Sequence, residues 1–327
     1  AVCIKIKPIA ITLGLIGIGF CLFTAEAQTN AWPQKPIKLI IPYVAGSAPD
    51  ALGRAVSEKL SVALGQPIIV DNRPGAGGNI GFEAIAKSPN DGYTLGLATS
   101  GLAINASLYK KVPFDIRKDF SFLNLTFEMP HALIVANNSP FKSVGDLIAA
   151  MKVAPGKYNY SSGGNGTGAH LAGELFKSMI GARSIHIPYK GSPAIITSVI
   201  SGDVSYGFPT MATVTQLVKA GKLRILGITS PKRNKLFPEI PAISETVKNY
   251  EMTSWFGLVG PSNMPVEIVS RIDKEMSKIV ADSAFKIAMQ SAGTDIVGLS
   301  SKEFTSYFSK DANRWKQAVE ASGASLD

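Results

Sequence analysis

The sequence predicts an α/β protein of two lobes between which the chain crosses twice. Short apolar runs alternate with amphipathic stretches from Ile37 onward, the same alternation resumes after residue 131, and the tail beyond about residue 265 is mostly helical. A helix-rich tail needs a sheet to cover, and the first sheet is the natural one. The chain is therefore expected to leave the first lobe near residues 124–132 and return near 250–256. Two crossings make a hinge with an interlobe cleft, a usual place for a small-molecule site.

The elements follow in order. "IKLIIPY" (37–43) reads as a buried strand and "DALGRAVSEKLSVALG" (50–65) as a helix with Leu52, Val56, Leu60 and Leu64 on one face. Asp50 is placed to start it. "PIIVD" (67–71) is a strand, "NIGFEAIAKS" (79–88) a helix and "YTLGLATS" (93–100) a strand, the rhythm of a mostly parallel sheet. The second lobe repeats it. Strands are predicted at 131–136, 158–162, 184–189, 204–208 and 223–229, and helices at 143–152, 167–180, 193–202 and 210–221. Ser143 with Asp146 three residues on resembles a capping box. In the tail, "TSWFGLVGP" (253–261) is an aromatic-rich strand, followed by helices at 265–281, 283–292 and 301–320 and a weak strand signal in "DIVG" (295–298).

Residues 4–23 carry Lys5 and Lys7, then an apolar run from Ile9 to Phe23, then "AEA" at 25–27. A positive head, a short apolar core and small residues two apart predict a secretory signal peptide cleaved after Ala27. The run is short for a membrane span. A lipid-attachment site at Cys21 would want a small preceding residue, where Phe20 is bulky. Cys3 and Cys21 both fall in the leader, so disulfides, thiol catalysis and iron–sulfur centres are not expected in the mature chain. The net charge of +9 is scattered, with "SPKRNKLFP" (230–238) the one dense basic group and no aromatic residue between its basic ones, so nucleic acid is not an expected partner.

Three loops follow strands at the sheet end where α/β folds bind ligands. "PYVAGSAPD" (42–50) has Gly46 and Ser47 before a helix N-terminus, which suits an anion or an ordinary turn. "NRPGAGGNIG" (72–81) fails as a dinucleotide fingerprint: counting from Gly75 and Gly77, the third glycine should fall where Ile80 stands. Its glycines fit a tight turn, and Arg73 reads as a brace of that turn ahead of a cleft residue. "NYSSGGNGTGAHLAGELF" (159–176) ends a strand at Ser161 and Ser162, turns through Gly163, Gly164 and Gly166, and places Thr167 to cap a helix. Backbone donors with hydroxyls there would grip a carboxylate. His170 either donates to the ligand or caps and packs.

Chemistry beyond binding has little support. Gly-x-Ser-x-Gly does not occur, and no glycine-rich run ends in Gly-Lys-Ser/Thr. His131, His170 and His186 have no metal-ligand spacing, and His186 between Ile185 and Ile187 reads as a strand residue. No paired carboxylates suited to acid–base work are visible. A Ser-His-Asp set assembled across the fold would leave no local signature.

These residues resemble the tripartite tricarboxylate transporter substrate-binding proteins, the Bug or TctC family. The marks are "VDNRPGAGGNIG" (70–81), "SPNDGYTL" (88–95), "INASLYKKVPFDIRKDF" (104–120), "GNGTGAHLAGELFK" (164–177), "HIPYKG" (186–191), "KAGKLRILGITSPKR" (219–233) and "SWFGLVGP" (254–261). The resemblance runs from Trp32 nearly to the C-terminus. It implies a two-lobed periplasmic-binding-protein fold of type II (a Venus flytrap), with a signal peptide at 1–27, lobe 1 from 28–130 and 253–327, and lobe 2 from 131–252. It implies a non-enzymatic periplasmic receptor, expected as a monomer, that takes a small organic acid (di- or tricarboxylate, or aromatic carboxylate) to integral-membrane permease subunits, without cofactor or metal. A sensor that passes its bound state to a signalling partner is the alternative. Carried over by position, the ligand loops are Tyr43, Val44, Ala45, Gly46, Ser47 and Asp50 in lobe 1, and Ser162, Gly163, Gly164, Asn165, Gly166, Thr167 and His170 in lobe 2. The chain departs from the family where Pro49 removes an amide donor and where Phe208 leads to Pro209 instead of an Asp, which argues against an amino-acid ligand.

Overall fold

Residue 2 and residues 32–234, 237–322 and 325–326 are described in the computed structural model. The expected leader, with both cysteines and its cleavage point, lies outside the described residues apart from Val2.

The first sheet starts with β1 (Ile37–Ile41), α1 (Ala48–Leu64), β2 (Ile68–Asn72), α2 (Asn79–Ala86) and β3 (Thr94–Thr99), with β1 parallel to both β2 and β3. In α1 the residues Leu52, Val56, Leu60 and Leu64 are all buried, as the four-residue spacing predicts, and Gly65 ends the helix in the left-handed region. The α3 helix (Ser100–Leu108) is absent from the sequence prediction, and the reason is its burial. Seven of its nine residues are out of solvent, so no polar face alternates with an apolar one. Thr99 caps it, accepting from the Gly101 amide at 3.1 Å. The β4 strand (Phe120–Pro130) is likewise unpredicted and almost wholly buried.

From β4 the chain passes through His131 straight into β5 (Ala132–Ala136) of a second sheet. That sheet continues with α4 (Val144–Val153), β6 (Asn159–Ser162), α5 (Gly168–Ile180), β7 (Ile185–Pro188), α6 (Gly191–Ser201), β8 (Tyr206–Gly207), α7 (Met211–Lys219) and β9 (Leu223–Ile228), in the strand order β7-β6-β8-β5-β9. The capping box forms as read: the Asp146 amide donates to Ser143 Oγ at 3.1 Å, and the Ser143 amide donates to Asp146 Oδ2 at 3.0 Å.

The chain then returns. β10 (Thr253–Pro261) inserts antiparallel between β3 and β4, and α8 (Val266–Ala281), α9 (Ser283–Ser291), β11 (Asp295–Leu299) and α10 (Ser301–Ser322) follow. The order is β11-β4-β10-β3-β1-β2, so the weak "DIVG" signal is an edge strand. α10 covers α3 and β4 and also touches α5 on the other sheet. One apolar core accordingly runs through both layers, with Phe122, Trp255, Phe304 and Phe308 in the same cluster as Tyr160, Phe176, Phe208 and Tyr250. The indole N–H groups of Trp255 and Trp315 both donate to the buried Asp311 Oδ2, at 2.6 and 2.9 Å. Among the described residues no helix is long and apolar enough to cross a membrane.

The two passages between sheets lie side by side. The His131 amide donates to Thr229 Oγ1 at 2.8 Å, the Thr229 amide donates to the His131 carbonyl at 3.0 Å, and the Met252 amide donates to the Thr229 carbonyl at 2.9 Å.

Candidate ligand-binding site

The first-sheet loop is ordered from within. Gly46, at φ +79°, turns its amide onto Asp50 Oδ2 at 2.9 Å. Asp50 is buried and also accepts from Arg54 Nε at 3.0 and 3.1 Å and from Asn72 Nδ2 at 2.9 Å. Burial works against its charge, and the bonds from Arg54, Gly46 and Asn72 outweigh that and hold its carboxyl below the usual range. Ser47 Oγ donates to the Val44 carbonyl at 2.6 Å. Tyr43 Oη lies 2.7 Å from Thr99 Oγ1, and burial pushes the phenol up to about 12. Val44, Ala45 and Gly46 remain exposed at the tip, ahead of the α1 N-terminus, which has no side-chain cap.

The second-sheet loop repeats the plan. Thr167 Oγ1 donates to the Gly164 carbonyl at 2.7 Å and accepts from the His170 amide at 3.3 Å, so it caps α5 as read. Ser162 Oγ lies 3.1 Å from both the Gly164 amide and carbonyl and 2.6 Å from His186 Nε2. Gly163 approaches Gly191 so closely that a Cβ would sit 3.3 Å from the Gly191 Cα. The N-terminus of α6 is thereby set beside that of α5, and Gly191 is a site neighbour the sequence reading missed. Asn165 is exposed at the tip.

Four of the residues carried over by resemblance, Ser47, Asp50, Thr167 and His170, bond within their own loops. The protons of Ser47 and Thr167 are already spent on loop carbonyls, and the Asp50 oxygens are filled. Bonded in this way, these groups shape the loops. His170 is buried and caps and packs. Its Nδ1 accepts from the Gly166 amide at 3.2 Å, and its Nε2 lies 3.9 Å from Glu174 Oε1.

Behind the second loop the rings stack. His170 lies on His186 with centroids 4.2 Å apart, and His186 lies on Tyr160 at 4.9 Å. Burial and then the neighbouring His170 carry His186 down to about 4, and burial also lowers His170. Tyr160 donates to Glu174 Oε1 at 2.6 Å, and Lys177 pairs with the same oxygen at 2.7 Å. Burial opposes the charge on Glu174, yet the Lys177 and Tyr160 bonds hold it below its usual value. Both imidazoles are neutral props at neutral pH.

The two loops do not touch directly. They meet through α3 and the turn at 75–78, where Gly75, Gly77 and Gly78 all take positive φ. A Cβ on Gly101 would lie 2.7 Å from Tyr43 Oη, and one on Gly166 would lie 3.1 Å from Asn105 Oδ1 and 3.3 Å from Leu108 Cδ2. The second-sheet loop thus rests on α3 of the first. Thr99, Asn105 and Leu108 were missed because α3 itself was missed; "INASLYKK" as a resemblance mark was the available signal. Arg73 pairs with Asp71 at 3.0 Å, as a brace. A separate cavity of about 570 Å³, lined by Glu174, Lys177, Arg183 and Ser184 among others, opens at the far end of α5, away from both glycine loops. Among the described residues no three His, Cys, Asp or Glu side chains gather as a metal site.

The comparisons with known proteins fit this architecture. The model of the tripartite tricarboxylate transporter family receptor, TctC, matches residues 52–324. The chain belongs to that family. It is 30% identical over 319 residues to protein BugT of Bordetella pertussis, covering 96% of this chain and 98% of BugT. Among solved structures, R. palustris Rpa4515 with adipate is similar at 30% identity and TM-score 0.83, covering 90% of this chain and all of that one. The periplasmic binding protein BugD is similar at 25% identity and TM-score 0.80, covering 90% of this chain and all of BugD. In this family member the two glycine loops follow β1 and β6 at the ends where α/β sheets carry ligands.

Proposed function

We propose that this receptor captures a small organic carboxylate between two lobes in the periplasm and delivers it to the permease subunits of a tripartite tricarboxylate-type transporter. Lobe 1 comprises residues 28–130 and 253–327, and lobe 2 comprises 131–252, with His131, Thr229 and Met252 at the hinge. The observation that carries the reading is the use of donors. Loop hydroxyls are consumed inside the loops, while the N-termini of α1 and α6 carry no side-chain cap and that of α5 has only the Thr167 bond to the His170 amide, so first-turn amides remain for an anion. Backbone N–H groups at helix starts suit an anion, each helix adding about 0.3–1 kcal/mol for a negative charge in its first turn. Closure follows from a ligand that touches both lobes and so stabilises the closed form more than the open one. Adipate in Rpa4515, a plain dicarboxylate, supports the ligand class. No step of covalent chemistry is part of this proposal.

The test is a thermal-shift panel of mono-, di- and tricarboxylates, aromatic acids, acidic amino acids and nucleotides, followed by calorimetry. Stabilisation by at least one carboxylate and none by nucleotides is expected. A panel in which no carboxylate raises Tm removes the proposal.

A further inference from the structure

Two contacts join the sheets on the side of the crossing that faces away from the ligand loops. In the first sheet, β4 and β10 are the strands by which the chain leaves and returns. The order β11-β4-β10-β3-β1-β2 puts β1, with its ligand loop, on one side of that pair and β11 on the other. In the second sheet, the order β7-β6-β8-β5-β9 puts β6, with the other ligand loop, on one side of β5 and β9 on the other. β11 and β9 are thus the edges opposite to the loops.

At those edges the sheets meet. Asn234, beyond the end of β9, donates from Nδ2 to Oδ2 of Asp295, the first residue of β11, at 3.0 Å. Gly293, just ahead of β11, presents a bare Cα to α7, the helix that packs on β9. A Cβ on Gly293 would lie 2.7 Å from the Ala212 Cα and 3.0 Å from its Cβ. Ala212 packs against the first-sheet core together with Met289 and Ile296. Asp295 stands opposite Glu128 near the end of β4, so this seam lies close to the crossing.

A rigid lobe that turns about the crossing moves its two sides in opposite senses. Bringing the ligand loops together draws the seam apart, and a hydrogen bond at 3.0 Å is lost once its atoms separate beyond about 3.5 Å. Closure around a ligand therefore breaks the Asn234–Asp295 bond and unseats Ala212 from Gly293. Neither contact involves the ligand, so the free energy they hold counts only against the closed form, and the apparent affinity falls with the closed fraction.

We infer that Asn234, Ala212, Gly293 and Asp295 form a counterweight to closure: positioning residues that hold the unliganded receptor open and so tune its affinity from outside the site. This rests on the carboxylate-receptor reading above and adds to it a control of capture and release.

The test is calorimetry with adipate, succinate and the acid that raises Tm most in the panel, on wild type, Asn234→Ala and Ala212→Leu. The first variant removes the bond, and the second wedges bulk against the bare Gly293 backbone. Both are expected to bind roughly three- to tenfold tighter, the reverse of what damage to a receptor does. Small-angle X-ray scattering of the unliganded proteins, with folding checked by circular dichroism, should show both variants more compact than wild type. Asn234→Ala leaves the core untouched and decides the test if Ala212→Leu does not fold. Affinity unchanged or weakened in a folded variant overturns the inference. Tighter binding without compaction places the effect in the loops and also overturns it. If none of the acids binds wild type, the receptor reading fails, and scattering alone judges the counterweight: equal dimensions in all the proteins overturn it.

Discussion

His131 Nε2 lies 2.9 Å from Ser254 Oγ, joining the residue at which the chain leaves the first sheet to the start of the strand by which it returns. The other ring nitrogen faces the Phe208 carbonyl at 2.8 Å, so Nδ1 carries the proton and Nε2 accepts from the serine. Ser254→Ala leaves that nitrogen buried and unpaired. A loss of about 1–3 kcal/mol in urea unfolding is expected, and an unchanged midpoint would show that the bond contributes nothing at the crossing.

The same histidine sets an acid limit. Burial carries it from 6.5 down to about 4, although the Phe208 carbonyl bond pulls the other way, and His186 also falls to about 4. The unfolded chain takes up these protons first as pH falls below 6.5. Stability should therefore be flat above about pH 7 and decline from pH 6.5 toward 4, by about 3 kcal/mol for a shift of this size at His131. Urea midpoints across that range check it. A stability that rises on acidification would contradict the buried neutral state.

Asp50 organises the first loop from below. Asp50→Ala releases the Gly46 amide, Arg54 and Asn72 together, and a stability loss of about 1–3 kcal/mol is expected. Ligand affinity should fall as well, through the loop's shape, because the Asp50 oxygens are taken up by Gly46, Arg54 and Asn72. Affinity equal to wild type would show that the loop holds its shape without the carboxylate.

Thr167→Ala removes the α5 cap and the bond to the Gly164 carbonyl. About 1 kcal/mol of stability should go. Thr167→Ser should restore it, because the hydroxyl is the working group. Binding should weaken through loop order, and rescue by Ser separates that from a lost methyl contact.

Gly173→Ala tests close packing. Within a helix this change ordinarily stabilises by up to about 1 kcal/mol. Here the new Cβ would overlap the Tyr160 ring at Cε2, and the ring cannot retreat because His186 and Tyr206 stack on it. The expected sign is reversed, with a loss of about 1–3 kcal/mol in thermal or urea unfolding.

What sequence patterning captured was governed by local physics. The α1 face, the capping box at Ser143 and Asp146, and the Thr167 cap each depend on spacings of three or four residues, and each formed as read. The signal failed where burial erased alternation. α3 and β4 are buried on nearly every side and carry polar residues such as Asn105, Asn124 and Thr126 inside, so no period marks them, and with α3 went Asn105.

By itself, then, the sequence determined which segments become helices and strands wherever one face meets water, and which three glycine-bearing turns follow strands. Only the tertiary structure decided how those turns use their polar groups. A hydroxyl or carboxylate has few hydrogen-bond valences, and whether they serve a ligand or the loop depends on neighbours brought from elsewhere in the chain. His186 reaches Ser162 from 24 residues away, Asn72 reaches Asp50 from 22, and Asn105 meets Gly166 across two sheets.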